Sequence, residues 1–247
     1  MLDQTTRKGK IIDAALRLAG ARGWSGLSLD EIAVDAGVNL AEFRQEFQSK
    51  AQILAAFTRA VDDAVLEKLG RPESGTAARD RLFDVLMTRF ETMAPYKPAL
   101  RRIMADIRYR PGESISQFGA AARSTYWTLA AAGLDAEGPR GAFYVPGLMG
   151  VYARAFDIWL QDDDPGMART MAALDSRLRR GERFVRGVDD ALAAAGRMLS
   201  GLKRARRKGE TMDDAPPPMA TMTPAPQPPS PPPPGTAGTQ PGPMPAM

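Results

Sequence analysis

Apolar residues recur every three or four positions from about residue 7 to residue 203, which is the spacing of one face of an α-helix. No segment shows the strict alternation of apolar and polar residues that is typical of a strand. The first apolar stripe ends near Gly23 and contains Ile11, Ile12, Ala15, Leu16, Leu18 and Ala19. The pattern therefore predicts an all-α protein whose first helix buries one face.

Three short segments after that helix carry the signature of a helix start. SLDE (28–31), NLAE (39–42) and SKAQ (49–52) each fit a capping box. In this motif the first side chain accepts a hydrogen bond from the amide three residues on, and the Glu or Gln reaches back. The spacing predicts two short helices and then a longer one, with Gly37 in the turn between the short pair. We therefore expect a three-helix unit with a helix-turn-helix near the N-terminus.

The following residues predict a C-terminal bundle of longer helices. Their expected ranges are about 49–70, 76–93, 96–109, 114–133, 139–161, 164–181 and 182–203. Asp164 is expected to cap the helix over 164–181, with Pro165 in its first turn. The predicted division is a helix-turn-helix domain over 5–65 and a ligand-binding and dimerisation domain over 66–205.

Composition changes abruptly at about residue 215. The last 33 residues carry no charged side chain and hold most of the 21 prolines of the chain. Proline fixes φ and lacks an amide donor, so this composition favours solvated polyproline II over a packed core. We predict that residues 211–247 form a disordered tail. The alternative is that they are a ligand for a proline-recognition module.

Two missing residue types exclude much chemistry. The chain has no Cys and no His, which excludes disulfides, zinc–thiolate sites and His-based catalysis. Residues 162–164 are three adjacent aspartates, but a helix cap explains them better than a metal site, because neighbouring carboxylates do not converge on one ion. We therefore predict a protein that is not an enzyme and has no cofactor or metal. No apolar run reaches the ~18 residues of a membrane span, so a cytoplasmic location is expected.

Charge is unevenly placed. The net charge is +4, yet residues 1–50 hold equal numbers of cations and carboxylates. In the second short helix, Glu42 and Glu46 outnumber Arg44. A carboxylate is repelled by DNA phosphate unless it accepts from a cytosine amino group. The capping box explains Glu42 but not Glu46, so the sequence alone leaves open whether this helix approaches DNA.

LSLDEIAVDAGV followed by NLAEFRQEFQSKAQIL resembles the DNA-binding domain of the tetracycline-repressor (TetR) family, over about residues 7–60. The matching residues are Ile32, Ala33, the turn at 36–38, Phe47, Ser49 and Lys50. The resemblance implies a helix-turn-helix that enters the major groove of double-stranded DNA. It also implies a bundle that forms a homodimer and holds an apolar small molecule. The predicted function is a ligand-responsive, DNA-binding transcriptional regulator, expected to be a repressor.

The DNA-binding residues expected on this basis are cations and the exposed start of the second short helix. They are Arg7, Lys8, Lys10, Ser28, Asn39, Leu40, Ala41, Arg44, Gln45 and Lys50. Arg44 aligns with a family Tyr that touches the DNA backbone, and Lys50 matches a family phosphate contact. Gln45 can pair with an adenine edge. For Leu40 and Phe43, three residues apart, burial in the core is the alternative.

Flexible methionines and large aromatic side chains of the bundle suit an adaptable apolar pocket. The predicted lining residues are Met87, Phe90, Met104, Phe118, Trp127, Phe143, Leu148, Met149, Tyr152 and Phe156. The alternative is that these residues are ordinary core.

Residues 81–103 and 159–180 are similar to lipid-binding accessory proteins of ubiquinone biosynthesis, which share the TetR-like fold. This resemblance implies an alternative function, that of an isoprenoid-lipid-binding accessory protein that does not bind DNA. Residues 183–208 combine an apolar stripe with a basic run, which suits a peripheral membrane contact. The alternative for this segment is a dimer helix, because its small residues permit close packing.

Overall fold

A computed structural model describes residues 2–70, 75–108 and 111–183 together with Arg197, except for the side chains of 111–117 and 138–140. The helices are α1 Arg7–Arg22, α2 Leu29–Asp35, α3 Leu40–Glu46, α4 Lys50–Leu69, α5 Ala78–Met93, α6 Lys97–Arg108, α7 Pro111–Ala131 and α8 Gly138–Leu160. A short 3-10 helix, Ala94–Tyr96, joins α5 to α6. A further helix, α9, covers residues 168–183. These residues contain no strand, and the all-α prediction is confirmed.

The described residues between 2 and 183 belong to one compact unit. Within it, α1 packs against α6 and α2, and α4 packs against α5 and α7. The proposed boundary near residue 65 stays a prediction. The predicted tail over 211–247 and the basic run at 203–208 lie outside the described residues, as does almost all of the segment 183–208.

Hydrogen bonds at the helix starts agree with two of the three predicted capping boxes. The side chains of Ser28 and Asn39 each accept a hydrogen bond from the amide three residues on. The carboxylates of Glu31 and Glu42 accept in turn from the backbone amides of Ser28 and Asn39. The third box is incomplete. Ser49 accepts from the amide of Gln52, but the Gln52 side chain accepts from the amide of Gln48 instead.

The predicted break near Gly181 is absent, since residues 168–183 are continuously helical. Gly181 does not adopt the left-handed conformation with which a glycine ends a helix. The Asp164 carboxylate accepts from the amides of Gly166 and Ala168, so it contacts the first residue of the helix without occupying the predicted N-cap position. The helix begins at residue 168, so Pro165 lies in the preceding turn rather than in its first turn.

The core is continuous and is built around large aromatic side chains. Trp24, Phe43, Phe90 and Trp159 are each at most 2% exposed. Burying a side chain the size of Phe contributes roughly 1.5–3 kcal/mol. Trp24 lies in the loop between α1 and α2 and Phe43 in α3, whereas Phe90 and Trp159 belong to the bundle, so the same core supports both regions.

A buried polar cluster ties four helices of the bundle together. Arg89 of α5 donates to the carboxylate of Asp62 in α4 and, through Nε, to the hydroxyl of Tyr152 in α8 at 3.1 Å. Ser124 of α7 donates to the same Asp62 oxygen at 2.7 Å. Because buried charges must be paired, the cluster fixes these four helices relative to one another.

Candidate nucleic-acid interface

Helices α2 and α3 form the helix-turn-helix, and their connection is fixed by backbone geometry. Gly37 has a φ of 68°, in the left-handed region that glycine adopts readily. The amide of Val38 donates to the carbonyl oxygen of Ala33 at 3.0 Å. With Ser28 and Asn39 as caps, both helices start at defined residues.

Helix α3 has one buried and one exposed face. Phe43 is 2% exposed, and its ring lies 6.3 Å from that of Phe47, centroid to centroid. Leu40 is 52% exposed, so core burial applies to Phe43 and not to Leu40. Ala41, Arg44 and Gln45 are also exposed. The predicted DNA-contacting residues of α3 therefore share the solvent-facing side.

Arginines of α1 pair with the carboxylates of the helix-turn-helix. Arg17 lies 2.7 Å from Asp35, and Arg22 lies 3.1 Å from Glu31. The pKa of Glu31 lies below its usual value, chiefly because the amide and hydroxyl of Ser28 donate to its carboxylate, with a smaller effect from Arg22. Each exposed pair is worth little in stability, but together the pairs neutralise anions beside the candidate interface.

Arg7, at the start of α1, lies beside the acidic side chains of α3. Its guanidinium is 3.4 Å from Glu42 and 3.9 Å from Glu46, and it donates to the Gln45 side-chain oxygen at 3.3 Å. The first turn of α1 thus lies next to α3, which brings Lys8 and Lys10 into the same region.

Three of the cations that are predicted to contact DNA have no ion-pair partner among the described residues. Lys8, Lys10 and Arg44 are exposed, and within the described part of the chain their side chains make no ion pair or hydrogen bond. Glu31, Asp35, Glu42 and Glu46 have cationic partners on α1, whereas these three cations are not neutralised by any described carboxylate.

Lys50 has a role inside the fold. Its ammonium donates to the carbonyl oxygens of Trp24 at 2.8 Å and Ser25 at 3.3 Å, and lies 5.3 Å from the Trp24 ring centroid. The expected phosphate contact of Lys50 stays a prediction, and it would have to share or break these hydrogen bonds.

The loop between α1 and α2 is anchored by two residues of α6 that the sequence did not single out. Asp106 accepts from the amides of Trp24 at 2.6 Å and Ser25 at 2.8 Å. Arg102 donates to the carbonyl oxygen of Ala21 at 2.9 Å. No local motif marks these contacts, which join residues about eighty positions apart.

Residues 11–57 match the sequence model of the family described as bacterial regulatory proteins, tetR family. The match covers α1, α2, α3 and the start of α4. This chain carries a TetR-family N-terminal domain. The first of the two resemblances is thereby confirmed.

Two solved structures share the fold beyond the TetR-family domain. The TetR transcriptional regulator from Nitrosomonas europaea ATCC 19718 is 21% identical with a TM-score of 0.57, and the alignment covers 72% of this chain and 98% of that one. A TetR transcriptional regulator from Rhodococcus sp. RHA1 is 16% identical with a TM-score of 0.55, covering 72% and 96%. No curated protein matches the sequence. The comparisons do not support the resemblance to ubiquinone accessory proteins.

In the helical bundle, some of the residues that are predicted to line an apolar pocket pack against one another. Phe90, Tyr152 and Phe156 stack with Trp159, with centroid distances between 5.4 and 5.8 Å for Phe90–Tyr152, Tyr152–Phe156, Phe156–Trp159 and Phe90–Trp159. Met87 and Leu148 are buried, and Met104 and Met149 are half-buried.

Three members of that predicted set do not lie in the interior. Phe118 is 64% exposed, Trp127 is 47% exposed and Phe143 is 64% exposed. Among the described side chains of α7, from residue 118 onwards, the buried ones are Ser124, Thr125, Thr128 and Leu129, so Phe118 and Trp127 lie outside the packed face. The expectation that these three aromatics line an enclosed cavity of one protomer is therefore wrong.

Two further properties concern ions and membranes. The described carboxylates form no cluster of three or more that could hold a metal ion. None of the helices described above is long and apolar enough to cross a bilayer.

Proposed function

We propose that the protein is a transcriptional regulator that binds double-stranded DNA through α2 and α3. The observation that carries this proposal is the exposed Arg44 of the TetR-family domain, which has no ion-pair partner in the described part of the chain. An unpaired guanidinium on the exposed face of α3 is suited to a phosphate oxygen. Leu40, Ala41 and Gln45 accompany it and offer apolar and amide groups to base edges.

The charge arrangement supports the same surface. The α1 arginines pair with carboxylates of α2 and α3, while Lys8 and Lys10 remain available to phosphate. A cationic contact of this kind gives affinity for any sequence, and it weakens as salt rises because counterions are released on binding. The predicted cytoplasmic location agrees with access to DNA.

We propose that the regulator acts as a homodimer. A dimer places two recognition helices in successive major grooves, about 34 Å apart. The large exposed aromatics Phe118, Trp127 and Phe143 support self-association, since exposed apolar groups of this size commonly mark interfaces.

A regulatory apolar ligand bound in the bundle would act on the helix-turn-helix through α6. Asp106 and Arg102 hold the α1–α2 loop from α6, so a displacement of α6 would move the loop with it. Met87, Met104, Leu148 and Met149 remain proposed contacts for such a ligand. The ligand must favour one arrangement of the bundle, because equal affinity for two arrangements shifts neither.

The test is a binding titration with the DNA upstream of the protein's own gene, at several salt concentrations, together with a footprint. Arg44→Ala is expected to weaken binding. The matched control is Arg59→Ala, an exposed cation of α4 that lies about 13 Å further along that helix than Lys50. No footprint at low salt from a protein that is folded by circular dichroism would count against the proposal, as would equal effects of the two variants.

A further inference from the structure

We infer that Arg7 is the intramolecular counter-ion of helix α3 and not one of the phosphate-binding cations. This inference rests on the proposed DNA-binding function and explains how a helix with two carboxylates can approach DNA. It replaces the expectation, drawn from sequence, that Arg7 contacts phosphate.

The geometry places one guanidinium against three side chains of α3. The two terminal nitrogens of Arg7 lie 3.4 Å from Glu42 Oε1, 3.3 Å from Gln45 Oε1 and 3.9 Å from Glu46 Oε1. Residues 42, 45 and 46 are three and four positions apart and therefore lie on one side of the helix. A guanidinium presents several N–H donors in a rigid fork, which allows it to serve all three groups.

The two carboxylates depend on Arg7 to different degrees. Glu42 has a second partner, because its other oxygen accepts from the amide of Asn39 at 3.1 Å in the capping box. For Glu46, Arg7 is the only ion-pair partner that the described residues provide. Arg7 therefore accounts for the one carboxylate that the sequence could not explain.

Charge balance shows why this matters for DNA. Helix α3 carries two carboxylates and one guanidinium, so its formal charge is −1, and Arg7 brings the local sum to zero. A carboxylate without a cationic partner beside a polyanion is penalised by like-charge repulsion, and also by desolvation where the contact excludes water. Held by Arg7, Glu46 keeps a compensating charge when DNA arrives.

The inference separates Arg7 from its neighbours in sequence. Lys8 and Lys10 are exposed without a partner in the described part of the chain, whereas Arg7 contacts three acceptors. A phosphate contact by Arg7 would have to compete with these acceptors. In this arrangement Arg7 is a positioning residue that acts through α3, and Arg44 is the cation that α3 itself presents.

The experiment measures affinity and phosphate contacts together. Wild type, Arg7→Ala, Arg7→Ala/Glu46→Gln and Arg44→Ala are titrated against the DNA that the wild type selects. Each complex is then mapped by phosphate-ethylation interference. We expect Arg7→Ala to weaken binding about tenfold while leaving every interfering phosphate in place. Arg7→Ala/Glu46→Gln is expected to return to within about threefold of wild type, since the unpaired carboxylate has been removed.

Arg44→Ala is the positive control, because loss of a direct phosphate contact should erase one interference position. Erasure of a position by Arg7→Ala would show a direct contact and overturn the inference, as would wild-type affinity of Arg7→Ala or a double variant as weak as Arg7→Ala. All variants should unfold close to the wild-type midpoint, since partly exposed ion pairs such as Arg7–Glu46 contribute little to stability. A folded wild type that selects no DNA would instead overturn the proposed function itself.

Discussion

The carboxylate of Asp106 in α6 accepts a hydrogen bond from the backbone nitrogen of Trp24 at 2.6 Å. The same oxygen accepts from Ser25, and the Lys50 ammonium donates to the carbonyl oxygens of these two residues. Both sides of the α1–α2 loop are thus held, by α6 on one side and α4 on the other. The TetR-family domain is anchored to the bundle through backbone groups that would otherwise lack a partner when desolvated.

Removal of the Asp106 carboxylate should destabilise the fold. We expect Asp106→Ala to lower the free energy of unfolding by roughly 1–3 kcal/mol, because two partly buried amides lose their acceptor. Asp106→Asn keeps a neutral acceptor and should lose less. Urea denaturation followed by tryptophan fluorescence measures both. Asp84→Ala, at an exposed position of α5, is the control, and an equally small change in all three variants would contradict the anchoring role.

The buried pair of Arg89 and Asp62 should show strong coupling. Arg89→Met leaves Asp62 charged and unpaired in the core, so we expect a loss of about 3–5 kcal/mol in the free energy of unfolding. Asp62→Leu combined with Arg89→Met removes both charges and should be less destabilised than Arg89→Met alone. A double-mutant cycle by urea denaturation gives the coupling. Additive losses would show that the two side chains do not stabilise one another.

The local part of this structure could be predicted from sequence, because its causes are local. The caps at Ser28 and Asn39 involve amides three residues away, and the apolar stripe of α1 follows the helical repeat directly. The fold class, the helix-turn-helix and the exposed face of α3 at Arg44 follow from such patterns.

Contacts between segments that are distant along the chain have no comparable pattern in the sequence. Arg7 meets Glu42 across 35 positions, and Asp106 meets Trp24 across 82, and no periodicity relates such pairs. Side-chain type was also a poor guide to position, since Phe118 and Phe143 have the composition of a pocket but lie on the surface of the protomer. Which face of a bundle helix is buried depends on its neighbours, and a single sequence does not list them.

Acid should weaken the start of α9 through Asp162. Thr170 donates its amide at 2.9 Å and its hydroxyl at 2.7 Å to Asp162 Oδ2. Burial raises the pKa of Asp162, but these hydrogen bonds outweigh it, and the pKa lies below the ordinary value of 3.8. A carboxyl with a lowered folded pKa contributes stability that is fully present above the unfolded pKa and is lost as pH falls through the folded pKa.

The stability of wild type should therefore fall as the pH drops below about 4. Asp162→Asn should be less stable than wild type at pH 7 and should lose less between pH 4 and pH 2. Thermal unfolding midpoints across pH 2–7 check this, with Asp63→Asn at an exposed position of α4 as the control for removing one negative charge. A parallel pH dependence in Asp162→Asn and wild type would rule out this source of acid sensitivity.

Arg44 should contribute affinity without sequence preference. If it holds a phosphate, Arg44→Ala weakens binding to cognate and unrelated DNA by a similar factor, and the slope of log affinity against log salt falls by about 1. Titrations at four or more salt concentrations on two DNA sequences provide the measurement. A loss confined to one sequence would indicate that Arg44 contacts a base.

Gln45 should act in the opposite way and determine base preference. It is exposed on the same face as Arg44, and its side-chain oxygen is held by Arg7 at 3.3 Å, which orients the amide before DNA arrives. Gln45→Ala is expected to reduce discrimination at one base pair by roughly 1–3 kcal/mol while leaving the salt slope unchanged, because no charge is removed. Selection from a randomised DNA pool, run in parallel for wild type and Gln45→Ala, shows whether one position relaxes. Unchanged preference at every position would remove Gln45 from the set of base-contacting residues and leave recognition to Leu40, Ala41 and the shape of the DNA.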